Sequence, residues 1–258
     1  MAVDLFTQAR DRDDQYQVCV SYIASHLDRV VDIGLYAKQA IESGDKPDFD
    51  HMSLDSIEKK FLQVREKSGA QRGQTFIKGM TQTELMSPSE LAEYIDNGRD
   101  IESQLLDKLG TSKDRVTSIV ILHVRNITMG NVARVHLVAL ANVERIKHTD
   151  NTTPKLKESI VLNNSISTLT KVLSHIWQMQ TGQDVEQDRI PSTLDSKLTR
   201  ILQSVLVPQT LVSMFVTIYP LEKNYEDVLS AVRLPNRIKG VHYEGHPAKV
   251  VFSPTSSI

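Results

Sequence analysis

From Pro154 to about Met179 the chain places apolar residues at Leu162, Ile166, Leu169, Leu173 and Ile176, at spacings of four, three, four and three. An α-helix turns once in about 3.6 residues, so this set falls on one stripe, and a strand cannot gather it on one side. A stripe this long needs a large apolar surface to lie against, so the segment belongs to a packed domain. A second such stripe, Leu194, Leu198, Ile201, Leu202, Val205 and Leu206, predicts a helix over about 195–206 with Lys197 and Arg200 on its far face.

Strand patterns alternate with these helices. Val18, Val20 and Tyr22 share one face of a strand at 16–23, and further strands are expected at about 61–66 and 74–77, around an Arg72-Gly73 turn. Ile119–Val124 and Val132–Leu140 flank Thr128-Met129-Gly130-Asn131 and read as a hairpin. Leu211–Tyr219 is a continuous apolar run and reads as a buried central strand. Residues 34–60, with Gly34, Gly44, Pro47 and a polar DKPDFDHMSLDS stretch, read as a surface insertion. Ser87-Pro88-Ser89-Glu90 is a helix start: the serine oxygen can accept an amide three residues on, the glutamate can reach back, and proline suits the first turn. Gly98 is the expected stop. Asn224 is expected to cap a last helix with Glu226 and Asp227 in its first turn. Alternating strands and helices predict an α/β fold with both sheet faces covered.

Composition narrows function by exclusion. Over 258 residues the net charge is −2, which excludes a strongly basic nucleic-acid binder. The single cysteine, Cys19, excludes an internal disulfide and a multi-thiolate metal site, and its apolar neighbours make it a small buried hydrophobe. His26, His51, His123, His136, His148, His175, His242 and His246 show no metal-ligand spacing, so no metal site is expected. No apolar run approaches the roughly 18 residues that cross a bilayer, and Met1-Ala2-Val3-Asp4 does not open a secretory signal. A soluble cytoplasmic chain without membrane contact is the expectation.

Several segments resemble the kinesin motor domain. Residues 189–203, RIPSTLDSKLTRILQ, are similar to the family's H-I-P-Y-R-D-S-K-L-T-R-L-L-Q, and 154–173, PKLKESIVLNNSISTLTKVL, to its R-L-K-E-A-x-x-I-N-x-S-L-x-A-L-x-x-V-I. Phe76-Ile77-Lys78-Gly79-Met80-Thr81 with Ser87-Pro88-Ser89-Glu90, Val18-Cys19-Val20-Ser21-Tyr22-Ile23 and Asn224-Tyr225-Glu226-Asp227-Val228-Leu229 resemble further family segments in the family's order. The resemblance implies a kinesin-motor-like mixed β-sheet flanked by helices over residues 1–240, followed by a tail at 241–258. It also implies truncation at the N-terminus, with the first strands and the phosphate-loop strand missing. Loss of that strand would leave its sheet neighbours unpaired unless Leu211–Tyr219 or a partner chain takes its place.

Family members hydrolyse ATP with magnesium, holding the phosphates on G-x-x-x-x-G-K-[ST]. These 258 residues contain no Gly-Lys dipeptide. The first switch, N-x-x-S-S-R-S-H, aligns with 110–117, Gly110-Thr111-Ser112-Lys113-Asp114-Arg115-Val116-Thr117, which lacks both serines of its core and the histidine. The second, D-L-A-G-S-E, aligns with Ala139-Leu140-Ala141-Asn142-Val143-Glu144: Ala139 replaces the aspartate of the magnesium shell, and Asn142 the glycine whose amide approaches the γ-phosphate. Arg115 and Glu144 match the pair that bridges the switches, and a residual structural salt bridge accounts for them. No catalytic residue, bound nucleotide or other cofactor is expected.

The polymer-binding side is better kept. In the family the segments matching 154–179 and 189–206 face tubulin, whose surface is acidic. The resemblance therefore puts Lys155, Lys157, Asp195, Ser196, Lys197 and Arg200 at a microtubule interface. Lys155 and Lys157 sit in a helix's first turn, where the backbone dipole disfavours cations by about 0.3–1 kcal/mol each, a cost that an outside anion would offset. The sequence thus points to a microtubule-associated, cytoskeletal binding domain without ATP hydrolysis of its own, acting on microtubules or beside an active kinesin chain. The alternative is part of an ATP-dependent motor whose nucleotide-binding third lies outside these residues.

Overall fold

The computed structural model describes residues 6, 16–27, 29–68, 74–142, 153–180, 193–207, 210–217, 229 and 232, without the side chains of 153–155, 177, 179 and 180. They fall in two compact units: one takes residues up to 63 and 77–142, the other 64–76 and those from 153 to 232.

The first unit is built on β1 (Tyr16–His26), an 11-residue strand at the centre of its sheet. Its C-terminal half pairs with β2 (Arg29–Asp32), and its first half with β5 (Thr83–Leu85) on the same edge. The other edge pairs over its length with β6 (Thr117–Asn126), which pairs in turn with β7 (Val132–Ala139). All four pairings are antiparallel, so the expected mixed sheet is antiparallel among the described residues. The β6–β7 hairpin forms where the pattern predicts it. Gly130 takes φ +69 in its turn, a left-handed conformation that glycine adopts without a Cβ clash.

Val18, Val20, Tyr22 and Ala24 point to one face of β1, as their alternation predicts, and meet two helices, α1 (Ile33–Ser43) and α3 (Pro88–Lys108). α3 supplies Leu91, Tyr94, Ile101 and Leu105 to this core. Its start is the expected one. Ser87 Oγ accepts from the Glu90 amide at 3.2 Å, and Glu90 Oε2 accepts from the Met86 amide at 2.8 Å.

Four further expectations need correction. Residues 34–60 are not a surface insertion: they contain most of α1 and the short α2 (Leu54–Glu58), and Tyr36, Ala37, Ala40, Phe49 and Ile57 are buried. The polar tract misleads because isolated apolar residues, Phe49 and Ile57, are enough to anchor it in the core. Gly98 does not end its helix, which runs on to Lys108 because Ile101, Leu105 and Leu106 continue the apolar stripe.

β3 (Gln63–Glu66) pairs with β4 (Thr75–Lys78), of which residues 64–66 and 75–76 belong to the second unit, and in that unit α4 (Thr153–Gln180) matches the expected long helix. The helix expected over 195–206 is shorter: α5 (Lys197–Ile201) gives way to turns through Val205. The described part of the Leu211–Tyr219 run, residues 211–217, is not a buried strand. It has no regular structure, and Leu211 and Phe215 are 77% and 93% exposed. An apolar run becomes a strand only where a sheet edge offers partners for its amides and carbonyls. Arg72-Gly73, the helix start at Asn224 and Glu144 lie outside the described residues.

Candidate functional site

Two places carry the sequence-predicted residues. The first is the end of the unit-one sheet where β6 begins and β7 finishes. Because β6 and β7 run antiparallel, with Ser118 opposite Ala139, the residues before β6 and after β7 come together. Lys113–Arg115 form a single 3₁₀ turn, with the Arg115 amide donating to Ser112 O at 3.0 Å. The Asn142 amide donates to Asp114 O at 2.7 Å, and Asn142 Nδ2 donates to Asp114 Oδ1 at 3.3 Å. One residue earlier, the Ala141 amide donates to the buried Thr117 Oγ1 at 3.1 Å. Three hydrogen bonds therefore fasten the two switch-matching segments to each other. Ala139 ends β7 with an exposed methyl group, and Arg115 is half-buried.

Beneath this end lies a carboxylate that the sequence reading missed. Glu102 of α3 is 1% exposed and accepts from Tyr22 Oη at 3.0 Å and from Ser118 Oγ, with Lys113 Nζ 4.0 Å away. Burial, followed by the Glu102 charge, pushes the Tyr22 hydroxyl well above its ordinary range, so it stays protonated as a donor. Its signal was its place beside Ile101 on the apolar stripe of α3, where a charge has to find partners.

The second place is the helical part of unit two. α4 buries Leu169, Val172, Leu173 and Ile176, while Leu162 and Ile166 of the same stripe are half-buried. Its opposite stripe, Lys157, Ile160, Val161, Asn164, Ser167 and Lys171, is exposed. Ser196 caps α5: its buried Oγ accepts from the Thr199 amide at 3.1 Å and shares a 2.8 Å bond with Thr199 Oγ1. Its hydroxyl is thus engaged internally. Asp195 is exposed, whereas Lys197 and Arg200 are half-buried. The Arg200 carbonyl accepts from Thr75 Oγ1, and Gln203 bridges Thr75 and Thr193, accepting from the Thr75 amide at 2.6 Å and donating to Thr193 Oγ1 at 2.9 Å. These bonds tie the β3–β4 pair to α5, a link between distant segments that no local pattern announces. The Lys155 side chain is outside the described set.

Among the described residues no group of three or more His, Cys, Asp or Glu could hold a metal ion, and no helix is long and apolar enough to cross a membrane.

A family model, the kinesin motor domain, matches residues 1–241. This chain belongs to the kinesin motor-domain family. Kinesin-like protein KIF1A of Rattus norvegicus is 26% identical over 254 residues, covering 92% of the chain and 14% of the relative. Kinesin-like protein klpA of Emericella nidulans is 29% identical over 192 residues, covering 73% of the chain and 24% of the relative. The chain spans about a quarter or less of the length of these kinesin relatives. Among solved structures, a fast kinesin superposes with a TM-score of 0.68 at 20% identity, over 98% of this chain and 64% of the other. The Kar3Vik1 C-terminal motor and motor homology domain, fused to a synthetic heterodimeric coiled coil, superposes with a TM-score of 0.65 at 20% identity, over 91% and 54%. The α/β kinesin fold is therefore shared, with the switch-matching residues at one sheet end.

Proposed function

We propose that this kinesin-family chain is a microtubule-binding module that does not hydrolyse ATP on its own. The observation that carries the binding half is the outer stripe of α4. Lys157 and Lys171 stand about 21 Å apart at a rise of about 1.5 Å per residue. Between them, Ile160 and Val161 are 50% and 42% exposed, with Asn164 and Ser167 beside them. Cations flanking exposed apolar residues, with no acid in the stripe, suit an acidic protein surface such as tubulin. Lys197 and Arg200 of α5, with Asp195 just before its capping serine, extend the candidate surface.

The non-hydrolysing half is supported by the residues at the switch-matching sheet end, which do not fit a magnesium nucleotide. Ala139 offers no ligand atom, and the Asn142 amide already donates to Asp114 O. No Gly-Lys pair is present in these residues to cradle phosphates. The corresponding location is the microtubule cytoskeleton of the cytoplasm.

Co-sedimentation with taxol-stabilised microtubules, with and without ATP, tests both halves. Binding that weakens with salt, ignores ATP and drops further in Lys157→Glu/Lys171→Glu is the expected result. A folded wild-type chain that stays in the supernatant overturns the binding half, and microtubule-stimulated ATP turnover overturns the other. The retained Arg115 favours a second reading, part of a complete motor or a companion to an active kinesin chain. Mixing with such a chain and measuring its turnover addresses that reading.

A further inference from the structure

We infer that the Asp114–Asn142 pair is a built-in substitute for a bound phosphate, which holds the two switch-matching segments together without a ligand and leaves a nucleotide little to shift at this junction. The inference deepens the non-hydrolysing reading above and rests on it.

Nucleotide switches work because a terminal phosphate accepts hydrogen bonds from two loops at once, and the loops separate when it leaves. Here the two loops need no third party. The Asn142 amide, the donor that the family resemblance assigns to a phosphate, is bonded to Asp114 O at 2.7 Å. The Asn142 side chain adds a second bond, to Asp114 Oδ1 at 3.3 Å, which glycine at this position would lack. Serine in place of Asp114 would likewise lack that carboxylate. The two replacements therefore complement each other across the gap, whereas either alone would leave it without the side-chain bond.

The Ala141 amide bond to Thr117 Oγ1, at 3.1 Å and buried, secures the same junction from inside. β6 and β7, paired from Ser118–Ala139 to Arg125–Val132, supply the rigid base that keeps both segments in register. A ligand with no differential interaction with two states shifts nothing. With its donor already occupied, this junction offers a phosphate little to gain.

Hydrogen exchange read by mass spectrometry on the intact chain tests the inference, following peptides that cover 110–117 and 139–142. In the wild type both are expected to stay protected, and excess MgATP is expected to change them less than about twofold. Asn142→Gly and Asp114→Ala are each expected to raise exchange in both segments by about three- to tenfold, the scale of one modest hydrogen bond. The double variant is expected to exceed neither single one, while Asp114→Asn, which keeps an acceptor oxygen, retains most of the protection. Both side chains are exposed, so the fold survives these changes, and thermal melts on the same samples verify it. Unchanged exchange in the variants, or new protection of the wild type by MgATP, overturns the inference. Failure to pellet with microtubules leaves this result intact and counts only against the binding half.

Discussion

Gly98 of α3 lies directly against the ring of Tyr22: a Cβ built on the glycine would stand 2.5 Å from Tyr22 Cδ1 and 2.7 Å from Cε1. One turn further along the same helix face, Glu102 accepts the Tyr22 hydroxyl at 3.0 Å. The missing side chain lets the helix approach β1 closely enough for this bond, which sits under the switch-matching sheet end.

Gly98→Ala is therefore expected to destabilise the fold, although alanine is the better helix former. Overpacking costs about 1–3 kcal/mol, against a propensity gain of about 1 kcal/mol. Urea unfolding should show a lower midpoint with the slope preserved. If the variant is as stable as the wild type, the close packing of ring on helix is wrong.

Ser87→Ala removes the acceptor for the Glu90 amide at the start of α3 and should cost about 1 kcal/mol. Ser87→Asp, which keeps an acceptor at the cap, should recover most of it. Equal melting temperatures for the alanine and aspartate variants would contradict the capping assignment.

Ser196→Ala separates structural from interfacial roles in the second unit. The serine is buried and caps α5, so its loss should lower stability by about 1 kcal/mol. The salt dependence of microtubule binding should not change, in contrast with Lys157→Glu. A changed salt slope with unchanged stability would return Ser196 to the interface.

His123 and His136 set a pH dependence. They lie on neighbouring strands: His123 is opposite Arg134, and His136 is opposite Ile121. Burial, helped by Arg134 and Arg125, pushes His123 from 6.5 down to about 4; burial, then His123 and Arg134, pushes His136 to about 4 as well. The folded state thus favours the neutral rings. Their contribution is fully present above the unfolded value of 6.5 and is lost as pH falls from there toward 4. The loss is on the order of 2 kcal/mol per ring once their partial exposure is allowed for. Denaturation midpoints should fall between pH 7 and pH 5, and less so in His136→Gln. Burial raises the Asp32 carboxyl, which acts in the opposite direction, so the variant carries the attribution. A pH-independent midpoint across that range would refute the prediction.

What the sequence alone determined were features with a local cause. The stripe from Leu162 to Ile176 sets α4 because its period is that of a helix. Ser87-Pro88-Ser89-Glu90 sets the start of α3 because the capping atoms lie within four residues. The β6–β7 hairpin follows from two β-rich runs around a turn containing Gly130. Tertiary structure decided the rest, because the deciding partners are distant in the chain. Gly98 reads as a helix stop until Tyr22, 76 residues earlier, is placed against it. Residues 34–60 read as surface until Tyr36 and Phe49 are seen in the core, and Leu211–Thr217 reads as core until it is found exposed. The Asp114–Asn142 bond joins two motif positions whose substitutions, read one at a time, look only like losses. Only the antiparallel pairing of β6 and β7 brings them within hydrogen-bond reach.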